Sequence, residues 1–180
     1  IDQFVMARVV VGKNGGYLAK DIIVPDIPDH SSNRSETETC AVFLSDLHIG
    51  SKFFMEDEFN DFISWLSSPD PIARKVRFVL IGGDVVDGVG IYPNQDKELT
   101  SQTIEEQLKK TEEILSKIPK NIKIFIIPGN HDPGRRALPQ PAIPQKYNSG
   151  LWDRDNFCML GNPSMVSLNG VKVMMFHGQS

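Results

Sequence analysis

The chain has 180 residues, 40% hydrophobic and 23% charged, an ordinary globular composition with room for one sizeable domain or a domain plus a fragment. Its formal net charge of -4 excludes a general electrostatic pull toward nucleic acid or anionic membrane, so polyanion binding needs a local basic patch or bound cations. No apolar run approaches membrane-spanning length and no secretory signal is visible. The two cysteines, Cys40 and Cys158, form no CxxC pair and read as buried free thiols, which fits a reducing, cytoplasmic compartment. The first residue is Ile, so the numbering is expected to start inside a longer protein.

Residues 4–11 (FVMARVVV) and 17–24 (YLAKDIIV) are β-rich runs around GKNGG, whose Asn-Gly is a hairpin signal. Such a hairpin is marginally stable alone, so it reads as the closing part of a small β-domain. Residues 25–38 (PDIPDHSSNRSETE) have linker composition, and His30 within them reads as solvated.

From Thr39 strands and helices alternate. Ala41 to Leu44 is a short apolar strand. Glu56 to Leu66 reads as a helix with Phe59, Phe62, Ile63 and Leu66 on one face, and Glu56, Asp57 and Glu58 suit the positive end of its dipole. Val76 to Ile81 is a strand. Ser101 to Ile118 is a helix with Ile104, Leu108, Leu115 and Ile118 on one stripe and Pro119 beyond its end. Ile122 to Ile127 is a further strand. Val166 to Leu168 and Val171 to Phe176 form a hairpin around Asn169-Gly170. This order, with near-continuous apolar strands, predicts an α/β sheet covered by helices.

Chemistry-bearing residues follow the strands. AVFL is followed by Ser45-Asp46-Leu47-His48, VRFVLI by Gly82-Gly83-Asp84-Val85-Val86-Asp87-Gly88, IKIFII by Pro128-Gly129-Asn130-His131-Asp132, and VKVMMF by His177-Gly178. In an open α/β sheet, ligands bind at the carboxyl ends of the strands. Strand direction alone does not place His177 there, because its strand belongs to a hairpin. Taken singly, each motif is compatible with an ordinary turn. Jointly they are not: three of the four histidines lie at these ends. Clustered carboxylates there cost stability through desolvation and mutual repulsion unless cations compensate. Carboxylates, an amide oxygen and imidazoles without thiolate suit Mn²⁺, Fe or Zn²⁺ and exclude a Cys-type zinc site. Two ions ~3.5–4 Å apart, bridged by a carboxylate, are the usual arrangement for hydrolysing phosphate esters.

In this order SDLH, GGDVVDG, PGNHD and FHG resemble the calcineurin-like metallophosphoesterases, whose signature is D-x-H, G-D-x-x-D, G-N-H-[DE], His-Gly and finally G-H-x-H. The resemblance covers roughly Thr39 to Ser180. It implies an α/β fold, a two-sheet αββα sandwich, cut short before the final G-H-x-H. Within that superfamily, PGNHDPGRRALPQPAIP and LGNPSMVSLNGVKVMMFHGQS resemble the small subunits of archaeal D-family DNA polymerases, and Pro-Gln-Pro is shared with the B-subunits of eukaryotic replicative polymerases. That resemblance implies residues 1–24 as the carboxyl-terminal hairpin of an OB-like β-barrel domain, 25–38 as a linker and 39–180 as a metallophosphoesterase domain. It implies a metal-dependent 3′–5′ proofreading exonuclease with a large catalytic polymerase subunit and single-stranded DNA 3′ ends as partners, no membrane, and a nucleoid-associated place in a prokaryotic cell.

The same resemblance implies the roles. Asp46 and His48 hold one ion, Asp84 bridges both, and Asn130 and His177 hold the other, with Mn²⁺ expected and Fe or Zn²⁺ the alternatives. His131 is the general acid toward the departing 3′ oxygen, and Asp87 holds its ring; Asp132 is a second candidate for that partner, or a turn residue. Arg135 and Arg136 read either as a phosphate clamp or as a solvated loop. Trp152 and Phe157 read as core or lid packing, with base stacking the functional alternative. Two other readings stay open: a different metallophosphoesterase, such as a double-strand-break repair nuclease or a phosphatase, and a non-catalytic assembly subunit, against which the intact ligand set weighs.

Overall fold

The computed structural model describes residues 5–24, 32–147 and 149–178. Residues 25–31 of the expected linker, His30 among them, lie outside the described residues, as does the first residue of the expected 4–11 run. The chain divides into two units, Ile1–Ser32 and Asn33–Ser180.

The first unit is a ribbon of β1 (Met6–Val11) and β2 (Tyr17–Ile23), antiparallel, with a register shift at Arg8/Val9. Gly12 and Gly16 close the turn, the Gly12 amide donating to the Gly16 carbonyl at 2.8 Å. Every described side chain of this unit is exposed, so the ribbon has no core of its own.

The second unit is built on a four-stranded parallel sheet in the order β3 (Cys40–Leu44), β4 (Val76–Ile81), β5 (Lys123–Ile126) and β6 (Phe157–Met159). Helices α1 (Glu56–Leu66) and α2 (Ile104–Leu115) and the single turn α3 (Ser149–Trp152) connect the strands. An antiparallel pair, β7 (Ser164–Leu168) and β8 (Val171–Met175), makes a second sheet.

Strand alternation separates two cores, because successive side chains point to opposite faces. Val79 and Ile81 of β4 and Ile124 and Ile126 of β5 pack with Phe59 and Ile63 of α1 and Ile114 and Leu115 of α2. On the other face Leu80 and Ile127 pack with Val166, Leu168 and Met175 of the β7–β8 pair. The architecture is therefore three layers: helices, parallel sheet, antiparallel sheet. Dual burial explains why β4 reads as an apolar run broken only by the exposed Arg77.

Helix α1 and strand β4 have the bounds the sequence predicts. The expected helix 101–118 is shorter at both ends. At the start Thr103 is the cap: its hydroxyl accepts from the Glu106 amide at 3.2 Å, and the Glu106 carboxylate accepts from the Thr103 amide at 3.2 Å. At the end the Lys117 and Ile118 amides donate to the Ile114 and Leu115 carbonyls, tightening the last turn before Pro119. Strand β6 has no counterpart among the expected elements. Three residues carry no readable period, and the strand exists through its pairing with Ile124–Ile126. Both cysteines are free, and they are half-buried rather than fully buried.

Because Thr103 closes a reciprocal cap, Thr103→Ala is expected to cost about 1 kcal/mol. Urea unfolding followed by circular dichroism measures it. An unchanged midpoint would show that the cap adds no stability.

Candidate metal centre

The register of the sheet assembles the site. Leu44 pairs with Ile81, and Ile81 with Ile126, so three strands end at one level. Pairing continues past the strands. The Gly82 amide donates to Leu44, the Asp46 amide to Gly83, the His48 amide to Asp84 and the Ile49 amide to Val85, all at 2.8–3.0 Å. The D-x-H loop is thus zipped onto the G-G-D loop.

This zipper forces the backbone into rare conformations. Asp46, His48 and Asp84 have φ of 56°, 49° and 51°, and among described residues only two other non-glycines, Asn94 and Asn169, have positive φ. An L-residue in the left-handed region costs roughly 1–2 kcal/mol. Such strain persists where surrounding structure over-determines it, and it clusters at functional sites.

Two groups of donor atoms result, each within 4.8 Å internally: His48, Asp84 and His131, and Asp46, Asp84 and His177. Asp84 is common to both. Its carboxylate is buried, accepts the His131 backbone amide at 2.8 Å, and has His177 Nε2 at 3.5 Å and His48 Nε2 at 3.9 Å. Asp46 is half-exposed, 3.9 Å from His48 Nε2, and held by the Ser45 hydroxyl. Asn130 joins through its Oδ1, 3.1 Å from His177 Nε2. The β8 hairpin therefore delivers His177 beside the parallel-strand loops, which strand direction alone does not decide.

The histidine tautomers follow from their partners. His177 Nδ1 lies 2.8 Å from the Gly82 carbonyl. A carbonyl only accepts, so Nδ1 carries the proton and Nε2 presents a lone pair. That lone pair faces the Asn130 oxygen at 3.1 Å, an arrangement that repels unless a cation lies beside both or the ring is protonated. Among the described residues, His48 Nδ1 is the fully buried side-chain nitrogen or oxygen without a hydrogen-bond partner; Asp87 Oδ1 is 3.2 Å away but off the bond line. This donor set, all oxygen and imidazole nitrogen, fits one or two divalent transition ions.

Asp87 differs from expectation. Its carboxylate does not hold the His131 ring. Oδ1 faces His48, and Oδ2 accepts from Gln95 Nε2 at 2.7 Å. His131 Nδ1 instead meets the Asp87 backbone carbonyl at 2.6 Å, which makes Nδ1 the donor and leaves Nε2 as the exchangeable position. The residue belongs beside His131 through its backbone, and beside His48 through its side chain. The His131 and His48 rings meet edge to face at 4.7 Å.

Asp132 is neither the partner of His131 nor a mere turn residue. It is buried and accepts from Gly129 N at 2.8 Å, Val85 N at 3.1 Å and Val86 N at 3.2 Å, tying the G-N-H loop to the G-G-D loop. Burial pushes its carboxyl up to about 6; the charge of Asp84 adds to this, and the three amides oppose it.

Three glutamines escape a sequence reading. Gln95 donates to the Asp87 carbonyl at 2.9 Å as well as to its carboxylate. Gln107 brackets Gly88, accepting from its amide at 2.9 Å and donating to its carbonyl at 3.0 Å. Gln140, centre of Pro-Gln-Pro, donates to the Gly129 carbonyl at 3.1 Å and accepts from Asn162 Nδ2 at 2.6 Å. Asn162 in turn accepts the His177 amide at 3.2 Å. A glutamine at a charged protein's surface carries no periodic signal, and only burial marks these three.

The other candidates are placed as follows. Arg135 and Arg136 are exposed, and the Arg135 guanidinium donates to the Pro139 carbonyl of its own loop. Phe157 is buried in the core, and Trp152 packs on that core with Nε1 donating to Ile143 at 3.1 Å. Buried Phe157 offers no face to a base. A cavity of ≈ 300 Å³ opens over the site, lined by Asp46, His48, Asp87, His131, Phe53 and Tyr92 among others.

Residues 41–180 match the family of the B subunits of DNA polymerases alpha and epsilon, and the chain belongs to that family. Among similar proteins are the DNA polymerase II small subunits of Methanothermobacter thermautotrophicus (41% identity over 175 residues, 93% of this chain and 36% of the relative), Archaeoglobus fulgidus (40% over 174 residues, 93% and 35%) and Pyrococcus furiosus (36% over 186 residues, 99% and 30%). The chain spans about a third of the length of these relatives. No helix among the described residues is long and apolar enough to cross a membrane.

Two substitutions test the construction of the site. A Cβ on Gly129 would strike the Asp84 carboxylate and lie 2.7 Å from His177 Nε2. Gly129→Ala is therefore expected to weaken Mn²⁺ binding at least about tenfold by titration calorimetry; unchanged affinity would remove these two residues from the ligand set. Asp132→Ala leaves three amides without their acceptor and is expected to destabilise the fold by about 3 kcal/mol, read from urea unfolding. A loss within error would show that water replaces the carboxylate.

Proposed function

We propose that this chain is part of the small subunit of an archaeal D-family DNA polymerase and is a 3′–5′ exonuclease acting on single-stranded DNA ends with two divalent ions, Mn²⁺ foremost. A large catalytic polymerase subunit is the partner. Residues 39–180 belong to a calcineurin-like sandwich, and residues 1–24 to an OB-like domain. The observation that carries the reading is the sharing of buried Asp84 by two three-donor groups. A protein that only scaffolds a complex has no use for that arrangement, nor for the left-handed φ at three of its members.

By the resemblance, Asp46, His48 and Asp84 would hold one ion, and Asp84, Asn130 and His177 the other; the donor groups of the structure divide differently, Asp46 lying with Asp84 and His177, and His48 with Asp84 and His131. When bound, such a pair neutralises phosphoryl oxygens and acidifies a water. The chain's own residues do the rest. Gly82 and Asp132 orient His177 and the G-N-H loop, keeping Nε2 and the amide oxygen aimed at one point. The Asp87 carbonyl fixes the His131 tautomer, so protonated Nε2 delivers a proton to the departing 3′ oxygen. Asp87's carboxylate, steadied by Gln95, lies 3.2 Å from His48 Nδ1 and would orient that ring as a ligand.

In the complete subunit, His131→Ala is expected to keep Mn²⁺ binding and to lose about a hundredfold or more of its release of nucleotides from 3′-labelled single-stranded DNA. Full activity in that variant would remove His131 from the chemistry. Hydrolysis of p-nitrophenyl phosphate in preference to DNA would overturn the nuclease reading.

A further inference from the structure

Beside the metal centre lies a second cavity of ≈ 390 Å³. It shares Asp46, Leu47 and Phe53 with the cavity over the ligands, so one runs into the other. Its walls are apolar: Phe53, Phe54, Met55, Phe59 and Phe62 with Leu47. Phe53 is 73% exposed and Met55 62% exposed, on the segment joining the D-x-H loop to α1. Behind them the aromatic rings are braced, Phe54 on Phe59 at 6.0 Å and Phe59 on Phe62 at 5.7 Å.

Large apolar side chains exposed together, next to a polar cluster, call for an apolar occupant. The charged residues lining the cleft are Asp46 and Glu58, both anionic. Lys110 sits 5.9 Å over the Phe54 ring, with its charge matched by Glu56 at 2.6 Å. A phosphate is therefore repelled from this cleft, whereas an uncharged planar ring is not. The centre beside it presents the opposite chemistry, a donor set for cations that attract phosphate.

We propose that this cleft is the base subsite of the nuclease, in which Phe53 stacks the nucleobase adjoining the scissile phosphate. The inference rests on the nuclease reading and adds to it the part of the substrate that the metal ligands do not touch. Stacking on an aromatic face is sequence-tolerant, because every base has a π-face. The cleft thus favours a nucleotide chain over a bare phosphomonoester without selecting among bases. Its place at the mouth of the D-x-H loop sets the base on the Asp46 side of the site.

The test uses the complete subunit in a His131→Ala background, so that DNA stays intact, with Mn²⁺ present. The probe is a short single strand with 2-aminopurine at either of its last two 3′ positions. Stacking quenches its fluorescence. Quenching is expected with Phe53 present, lost on adding Phe53→Ala, and restored by Phe53→Trp. Affinity for the probe should fall about tenfold with Phe53→Ala, and a strand abasic at the same positions should bind both proteins alike.

Equal quenching with and without Phe53 overturns the proposal, and so does an equal loss of affinity for the abasic strand. Weakened assembly with the large subunit, with DNA binding unchanged, would assign the cleft to a protein partner and overturn it as well. The two readings fail separately. If the otherwise wild-type subunit degrades DNA and Phe53→Ala has no effect on stacking, the subsite alone falls. If that subunit never degrades DNA with Mn²⁺, the nuclease reading falls first.

Discussion

A single buried carboxylate, Asp84, sets the terms for everything around it. Burying an anion costs several kcal/mol unless partners compensate. Asp84 has one amide hydrogen bond, from His131, and two imidazole nitrogens at 3.5 and 3.9 Å. Its backbone is also held at positive φ. Nothing in the chain's packing asks for this residue at this place. The strand it follows would end as well in a neutral turn. Divalent ions between Asp84 and its neighbours would turn a stability cost into a binding site, which ties the fold's least favourable feature to its chemistry.

That cost is tolerated because the loops are held from below and from the sides. From below, β3, β4 and β5 end in register over a core that includes Val79, Ile81, Ile124 and Ile126. From the sides, buried polar side chains satisfy loop backbone that no strand can reach. Asp132 joins the second and third loops, Gln95 and Gln107 hold the end of the second, and Gln140 joins the third to Asn162 and so to His177. Each of these polar groups is paired, and a fully satisfied buried network rigidifies what it connects. This gives Pro-Gln-Pro a physical role: its glutamine spans two of the four loops.

Charge imposes a second constraint. The chain is acidic, and the Arg135 guanidinium donates to the Pro139 carbonyl of its own loop. If the site takes a polyanionic strand, bound cations would offset this acidity. On the proposed nuclease reading, the division between a polar floor of candidate metal ligands and an aromatic side wall would match the two halves of a nucleotide. One half is an anion that needs metal, and the other is a flat ring that needs a surface.

The sequence by itself determined the alternation of strands and helices, the bounds of α1 and β4, and the four polar strand ends. These are local properties: periodicity, acidic first turns, and motifs a few residues long. It also marked Asp46, His48, Asp84, Asn130 and His131 through strand ends that share an edge, and added His177 only through the ordered set of motifs. Tertiary structure alone decided which side chain meets which. Asp87 directs its carboxylate to His48 and only its carbonyl to His131; Asp132 became a strut; Gln95 and Gln140 entered the site; Trp152 and Phe157 went to the core, while Phe53 came to the rim. Those pairings span up to 47 residues of chain. Local sequence pattern holds no information at that range, because a hydrogen bond depends on where two loops finally rest and not on what precedes either of them.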